Sequence, residues 1–334
     1  MEIEFDFPVL MFKSRSFVDF IYRIGRKREK IIKKLGTFAL FLSLLGSVVA
    51  IDFLVRGAAE VLRGGPAQVS ILIPGVQIPG SAFRLPLLEG LVVIFLLAIF
   101  HEGFHGIVAS AHGLKPKYFA FLLFLFIPAA GVEIDEEKLK KMRKVERLRI
   151  FAAGSFGNLV LALICIILAF PLGKVLETGI EPKGLLVLNV TNPQINLKPG
   201  YVIEEINGTD VRNLENLWKF MEKIKPGEYV EIKTRNGTFI GKTIESEGKA
   251  RLGIYLRPLI EYRSAWARAL AFVVRVLLLS FQINIGVALI NLLPVHLLDG
   301  GRILEDMAPG VLRFVSPLML LLLILNIAGP YLPL

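Results

Sequence analysis

The sequence has one cysteine, Cys165, and only four histidines in 334 residues. A single thiol excludes a disulfide within the chain and any metal site built on several thiolates. A bound metal would have to draw on imidazoles and carboxylates. Charge is sparse too, at 20% of residues, while 54% are hydrophobic; soluble domains hold about 45–50% apolar residues. No basic patch with interleaved aromatics is present, so the net charge of +10 is not read as a nucleic-acid signature. The pattern of a cleaved signal peptide is also missing. The first strong apolar run starts only near Gly36 and reads as a retained span.

The apolar residues come in blocks. Runs of about twenty residues nearly free of charge are long enough to cross a hydrocarbon core. They fall at 36–55, 86–111, 148–170, 270–293 and 311–332. The chain therefore reads as an α-helical multi-pass membrane protein. Lys and Arg gather between Lys13 and Lys34 and again between Lys115 and Arg149, each group beside an apolar run. The positive-inside rule makes both groups cytoplasmic. That places the N-terminus in the cytoplasm of a cell-membrane protein and the C-terminus outside. Asp52, near the outer end of the first span, reads as a hydrated interfacial carboxylate rather than a catalytic one.

Residues 66–86 are too rich in Pro, Gly and β-branched residues for a spanning helix. They read as a hairpin or re-entrant loop turning at Pro74-Gly75 and Pro79-Gly80. Residues 118–137 are apolar but lead straight into the second basic group, so a partly embedded extended segment fits better than a crossing. Residues 178–258 change character. They alternate as strands at 185–190, 202–206 and 229–234, with turns at Asn207-Gly208 and Asn236-Gly237 and a helix over 214–224. This is an inserted α/β module of about eighty residues, extracytoplasmic by the topology.

His101-Glu102-Gly103-Phe104-His105 lies toward the cytoplasmic end of the second span. On a helix this spacing puts two imidazoles one turn apart on one face, suited to a single zinc ion, with the glutamate free to act as general base. Zinc lowers the pKa of coordinated water toward neutrality and so suits amide hydrolysis. Two histidines and a glutamate kept only for packing would be costly in an apolar span. A catalytic zinc needs a third protein ligand and an open position. Asp299 is the carboxylate at matching depth, in the stretch NLLPVHLLDGGR (291–302) at the inner end of the fourth span. Pro294 and Gly300-Gly301 let the backbone leave helical geometry there and aim the side chain. A solvated aspartate capping a turn is the alternative.

Three stretches together, HEGFH (101–105), AAGSFGN (152–158) and NLLPVHLLDGGR (291–302), resemble the site-2 protease family of intramembrane metalloproteases. The middle one is similar to that family's Gly-Pro-x-x-Asn pattern, and the likeness extends over residues 66–334. The inserted module resembles the PDZ domain of prokaryotic and archaeal members through KGLLVLNV (183–190), KPGYVIEEINGTDVRNLENL (198–217) and RNGT (235–238). The resemblance implies a site-2 protease core with an inserted PDZ-like domain. Its parts would be a cytoplasmic basic arm (1–35), an extra first helix (36–56), a first half of the core (66–172), the PDZ-like domain (178–258) and a second half (262–334).

The same resemblance implies one Zn2+ per chain, held by His101, His105 and Asp299, and no further cofactor. Glu102 would serve as general base and acid. Asn158 would hydrogen-bond the unwound substrate backbone or the oxyanion, and Asn291 would hold the backbone around Asp299 or the substrate. The segment 72–84 resembles the family's substrate-guiding β element. Substrates would be single-span membrane proteins that enter between the spans, pair with the embedded strands and unwind. The PDZ-like module would filter by size, or would bind a freshly cut C-terminus at Lys183–Leu186.

Three residues depart from the pattern: Ser155 stands where the family has Pro, and Tyr201 where PDZ domains have Asp. His296 occupies a loop position that is usually apolar or Pro; an oxyanion stabiliser, a fourth ligand and a plain surface residue all remain open. A catalytically inactive PDZ-bearing membrane scaffold is the alternative reading, against which the intact metal motif weighs. A metal transporter would show several ligand sets along a path, and one is visible.

Overall fold

The computed structural model describes residues 2–6, 9–66, 68–78, 84–124 and 127–331. The chain forms two compact units, Met1–Phe170 with Phe272–Leu334, and Pro171–Ala271. In chain order the first unit opens with β1 (Glu2–Asp6), β2 (Val9–Ser14), α1 (Arg15–Lys27), α2 (Glu29–Leu62), α3 (Leu87–Ala111), β3 (Phe119–Phe124), β4 (Ile127–Val132), α4 (Glu136–Lys141) and α5 (Lys144–Thr178). The second contains β5 (Ile180–Val190), β6 (Val202–Ile206), β7 (Thr209–Asp210), α6 (Leu214–Met221), β8 (Tyr229–Thr234), β9 (Gly237–Lys242), β10 (Ile244–Ser246), β11 (Lys249–Arg251) and β12 (Ile254–Tyr262). Then come α7 (Ala265–Asn291), α8 (Asp299–Met307) and α9 (Leu312–Ala328).

Helices α2, α3, α5 and α7 are long and apolar enough to cross a membrane. Helix α9 is apolar but only 17 residues long, shorter than the 311–332 expected, and carries Pro317. Helix α3 ends where His112 caps it and Gly113 takes φ +85°, a left-handed conformation that glycine adopts without steric cost. Asp52 pairs with Arg56 one turn along α2 at 2.9 Å.

The segment expected only as a basic arm carries secondary structure of its own. Strand β2 pairs with β3, which pairs with β4, giving a four-stranded antiparallel sheet in the order β1-β2-β3-β4. The extended segment expected at 118–137 is thus half of a larger sheet. Ser14 Oγ accepts from Phe17 N–H and starts α1. Helix α1 is amphipathic, and its buried residues Val18, Ile21 and Gly25 face α3. A Cβ on Gly25 would sit 2.5 Å from Ser110 Cβ and 2.7 Å from the Ile107 carbonyl, so the two backbones touch because Gly25 has no side chain. Phe17 meets Phe119 edge-on at 4.7 Å, joining α1 to β3.

The proposed guiding element at 72–84 lies partly outside the described residues, at 79–83. What is described there has no strand; Gly75 N–H donates to the Leu85 carbonyl at 2.8 Å.

The second unit is a sheet ordered β12-β5-β6-β8-β9, with β7 on β6 and a separate β10-β11 hairpin. Leu185, Ile203, Ile206, Val211, Leu217 and Ile232 form its core. Asn207 (φ +47°) and Gly208 (φ +72°) make the turn that their sequence announces. Asn213 Oδ1 accepts from Asn216 N–H at 2.8 Å and caps α6.

Candidate metal centre

Helix α3 presents His101 and His105 one turn apart, and α8 opens on Asp299. All three side chains are nearly buried. His101 Nε2 lies 3.3 Å from His105 Nε2, and Asp299 Oδ2 lies 3.4 Å and 3.5 Å from the two. Among the described residues this is the one group of His, Cys, Asp or Glu side chains whose ligand atoms converge in this way. The spacing is informative. A tetrahedral zinc with bonds of about 2.1 Å sets its ligand atoms about 3.4 Å apart. The three atoms therefore form one face of such a tetrahedron, and the donor set, two imidazoles and a carboxylate, fits zinc. Asp299 Oδ2 is buried with no hydrogen-bond partner, as a ligand oxygen would be.

Helix α5 fixes the imidazoles. His105 Nδ1 lies 2.7 Å from the Ile150 carbonyl, which can only accept, so Nδ1 carries the proton and Nε2 is left bare for a metal. The Asn158 amide lies 3.2 Å from His101 Nδ1. Amide oxygen and nitrogen are distinguished only by the network they join. In the structure the amide nitrogen faces His101 Nδ1 while Oδ1 is buried without a partner; with the amide turned over, Oδ1 would accept from Nδ1–H and His101 Nε2 would likewise be bare. Gly154 lets the helix come this close. A Cβ there would lie 2.6 Å from His101 Nε2 and would also collide with His105 Nε2. At Gly157 a Cβ would lie 2.7 Å from the Phe100 carbonyl, so the same approach continues one turn on.

The turn before Asp299 is equally tight. A Cβ on Gly300 would run into the Leu292 and Leu293 carbonyls, and one on Gly301 into the Val295 carbonyl. The glycine pair is what lets α8 begin directly beneath the end of α7.

Glu102 reaches the sheet, where its Oε2 accepts from Val132 N–H at 3.0 Å. His101, Glu102, His105, Val132, Asn291 and Asp299 all line one cavity of about 950 Å³. Asn291, the last residue of α7, reaches the cavity wall. His296 does not join the group: its side chain is exposed and lines a separate cavity of about 290 Å³, while its N–H donates to Ser316 Oγ at 3.1 Å. Gly154, the Ile150 carbonyl and Val132 N–H were not among the expected site residues. The glycine stood within a recognised stretch, but backbone groups leave no mark in a side-chain pattern.

Four helices long and apolar enough to cross a membrane, with buried His101, His105 and Asp299 that could hold a metal ion, define a multi-pass membrane protein with the side-chain pattern of a metallopeptidase. Residues 89–320 match peptidase family M50, and the chain belongs to that family, the site-2 proteases. An uncharacterized protein of Methanocaldococcus jannaschii is 31% identical over 282 residues, covering 81% of this chain and 73% of that protein. A membrane-bound transcription factor site-2 protease homolog of Arabidopsis thaliana is 22% identical over 244 residues, covering 68% of this chain and 44% of the plant protein.

Proposed function

We propose that the protein is a zinc-dependent intramembrane endopeptidase that cleaves transmembrane segments of single-span membrane proteins. The observation that carries this reading is the triangle of 3.3, 3.4 and 3.5 Å between His101, His105 and Asp299, with Glu102 next to it in sequence and in the same cavity. Zinc bound there supplies Lewis acidity, polarising the scissile carbonyl and acidifying water. The residues of the chain do the rest. Glu102 takes the proton from the attacking water as the new C–O bond forms, then delivers it to the departing amide nitrogen as the C–N bond breaks. The Ile150 carbonyl holds His105 in the metal-binding tautomer, Asn158 would do the same for His101 with its amide oxygen turned to Nδ1, and Asn291 lies where it can steady the substrate or the Asp299 turn.

A helical substrate hides its amides in its own hydrogen bonds, so it must be unwound before attack. Strand β4 is the terminal strand of its sheet and flanks the cavity, in position to take an added strand. A mostly apolar chamber of about 730 Å³, lined by Leu54, Leu72, Ile94, Leu97, Gly286 and Ile290, shares Ile94 and Leu97 with the metal cavity. It supports an approach of the substrate from between α2, α3 and α7. The charge distribution supports a cytoplasmic N-terminus and an extracytoplasmic PDZ-like module and C-terminus. In the module, β5 is flanked by β12 and β6 at Leu185–Leu186. A bound C-terminus therefore has no open backbone edge at those two residues, which favours filtering by size.

The test is direct. Zinc content and cleavage of a single-span substrate are measured on the detergent-purified protein and on Glu102→Gln. Zinc in both, with cleavage only by the wild type, is expected. Equal cleavage by both sinks the mechanism. A zinc-bearing wild type that cuts nothing favours the inactive scaffold.

A further inference from the structure

We propose that Arg147 is a positioning residue that sets the place of Asp299, and so the metal affinity, through an ion pair at the far end of α8. The proposal deepens the reading of His101, His105 and Asp299 as the zinc ligands and rests on it.

Asp299 begins a helix of nine residues, and Asp306 lies near its end. There Arg147 grips it with two nitrogens: Nη2 donates to Oδ1 at 2.8 Å and Nε to Oδ2 at 2.9 Å. The remaining nitrogen, Nη1, donates to the Met142 carbonyl at 2.7 Å and the Lys140 carbonyl at 3.3 Å, which fixes the guanidinium to the α4–α5 corner. Lys144 Nζ adds a bond to the Met307 carbonyl at 3.2 Å. At its other end α8 has no side-chain cap. The first turn of α5 is thus the polar anchor of the helix that carries Asp299.

The energy of this pair is not its point. Its side chains are 21% and 18% exposed, and partly solvated pairs add little to stability. The leverage is geometric. Asp299 and Asp306 are seven residues apart, about 10 Å along the axis, so a pivot of about 5° moves the carboxylate by about 1 Å. Metal–ligand distances tolerate only about 0.2 Å. The glycine turn fixes where α8 starts, and the contact at Asp306 sets the tilt of its axis, so even a weak contact there bears on the position of Asp299.

Helical spacing makes the arrangement systematic. Arg147, Ile150, Gly154 and Asn158 follow one another at three- and four-residue intervals, so they share one face of α5. Ile150 and Asn158 orient His105 and His101, Gly154 makes room for both, and Arg147 holds the helix of Asp299. One face of one helix thus serves as the template for all three ligands, and Arg147 is its cytoplasmic end.

The experiment measures zinc dissociation constants by chelator competition, and the visible spectrum of the cobalt-substituted protein. The proteins are wild type, Arg147→Gln, Asp306→Asn, the reversed pair Arg147→Asp with Asp306→Arg, and the control Arg143→Gln. Arg143 pairs on the surface with Glu146. Each single variant at 147 or 306 is expected to bind zinc ten- to a hundredfold more weakly, with an altered cobalt spectrum, as for groups that orient a metal ligand. The reversed pair should recover most of the loss, and excess zinc should restore cleavage to the single variants. Unchanged affinity in the single variants overturns the proposal, as does an equal loss in Arg143→Gln, which would mean general loosening of α5. A wild type without zinc is a different failure, that of the metal site itself.

Discussion

Glu102 Oε2 accepts a hydrogen bond from Val132 N–H, so the proposed general base is tied to the outer edge of a β-strand. The alternation of the strand explains why. Glu133 N–H turns inward to the Tyr118 carbonyl at 3.0 Å, which leaves the preceding N–H pointing out of the sheet. Val132→Pro removes this donor at an edge where proline interrupts no ladder bond. We expect zinc to be retained and kcat to fall about tenfold, a part of the roughly 10²–10⁴-fold that a general base contributes, because Glu102 itself remains. An unchanged kcat would show that the contact does not orient Glu102.

Gly154 should tolerate no side chain. Gly154→Ala puts a methyl carbon 2.6 Å from His101 Nε2 and closer still to His105 Nε2, in the space a metal would share. The expected result is loss of bound zinc and of cleavage with helix content retained. Metal analysis and circular dichroism on the same preparation decide it.

Asn158 is expected to act through His101. Asn158→Leu keeps the volume but removes the amide that meets His101 Nδ1, leaving the imidazole free to change tautomer. Zinc affinity should drop ten- to a hundredfold. Asp299→Ala, which deletes a proposed ligand, should lose more. Equal affinities in the wild type and Asn158→Leu would assign Asn158 to the substrate alone.

Metal removal gives an independent check. Dialysis against a chelator should abolish cleavage, and added zinc should restore it with a stoichiometry of one per chain. Persistent cleavage in the metal-free protein would rule out a zinc peptidase.

Acid should destabilise the helix bundle through His112. Burial pushes its pKa below the ordinary value, and Lys33, Arg149 and Arg143 act in the same direction against the Glu146 carboxylate 3.6 Å away. The unfolded chain therefore takes up a proton first as pH falls. The stability that neutral His112 contributes is full above about pH 6.5 and is lost as pH drops toward the lowered folded pKa. Melting curves of wild type and His112→Gln between pH 8 and 5 should diverge on the acid side only. Parallel curves would remove His112 from the account.

The chemistry was more legible in the sequence than the frame around it. His101, His105 and Asp299 stood out because polar groups are costly in apolar runs and the spacing of the histidines is local. Strands at Val202–Ile206 and Tyr229–Thr234 were readable from alternation and their Asn-Gly turns. The N-terminal strands were not, because β2 finds its partner in β3, far along the chain, and no local period announces such a pairing. Arg147 and Asp306 were hidden for the same reason: each is an ordinary charged residue until the fold joins them.

The pairing of β2 with β3 and the late position of Asp299 also govern biogenesis. The sheet cannot close until α3 has been made and inserted, since it joins residues 9–14 to residues 119–124. At about 5–20 residues per second, synthesis takes roughly 10–40 s to proceed from His105 to Asp299. During that interval the histidines already exist but their carboxylate partner does not. The order of the sequence thus delays assembly of the proposed ligand set until α8 has been made.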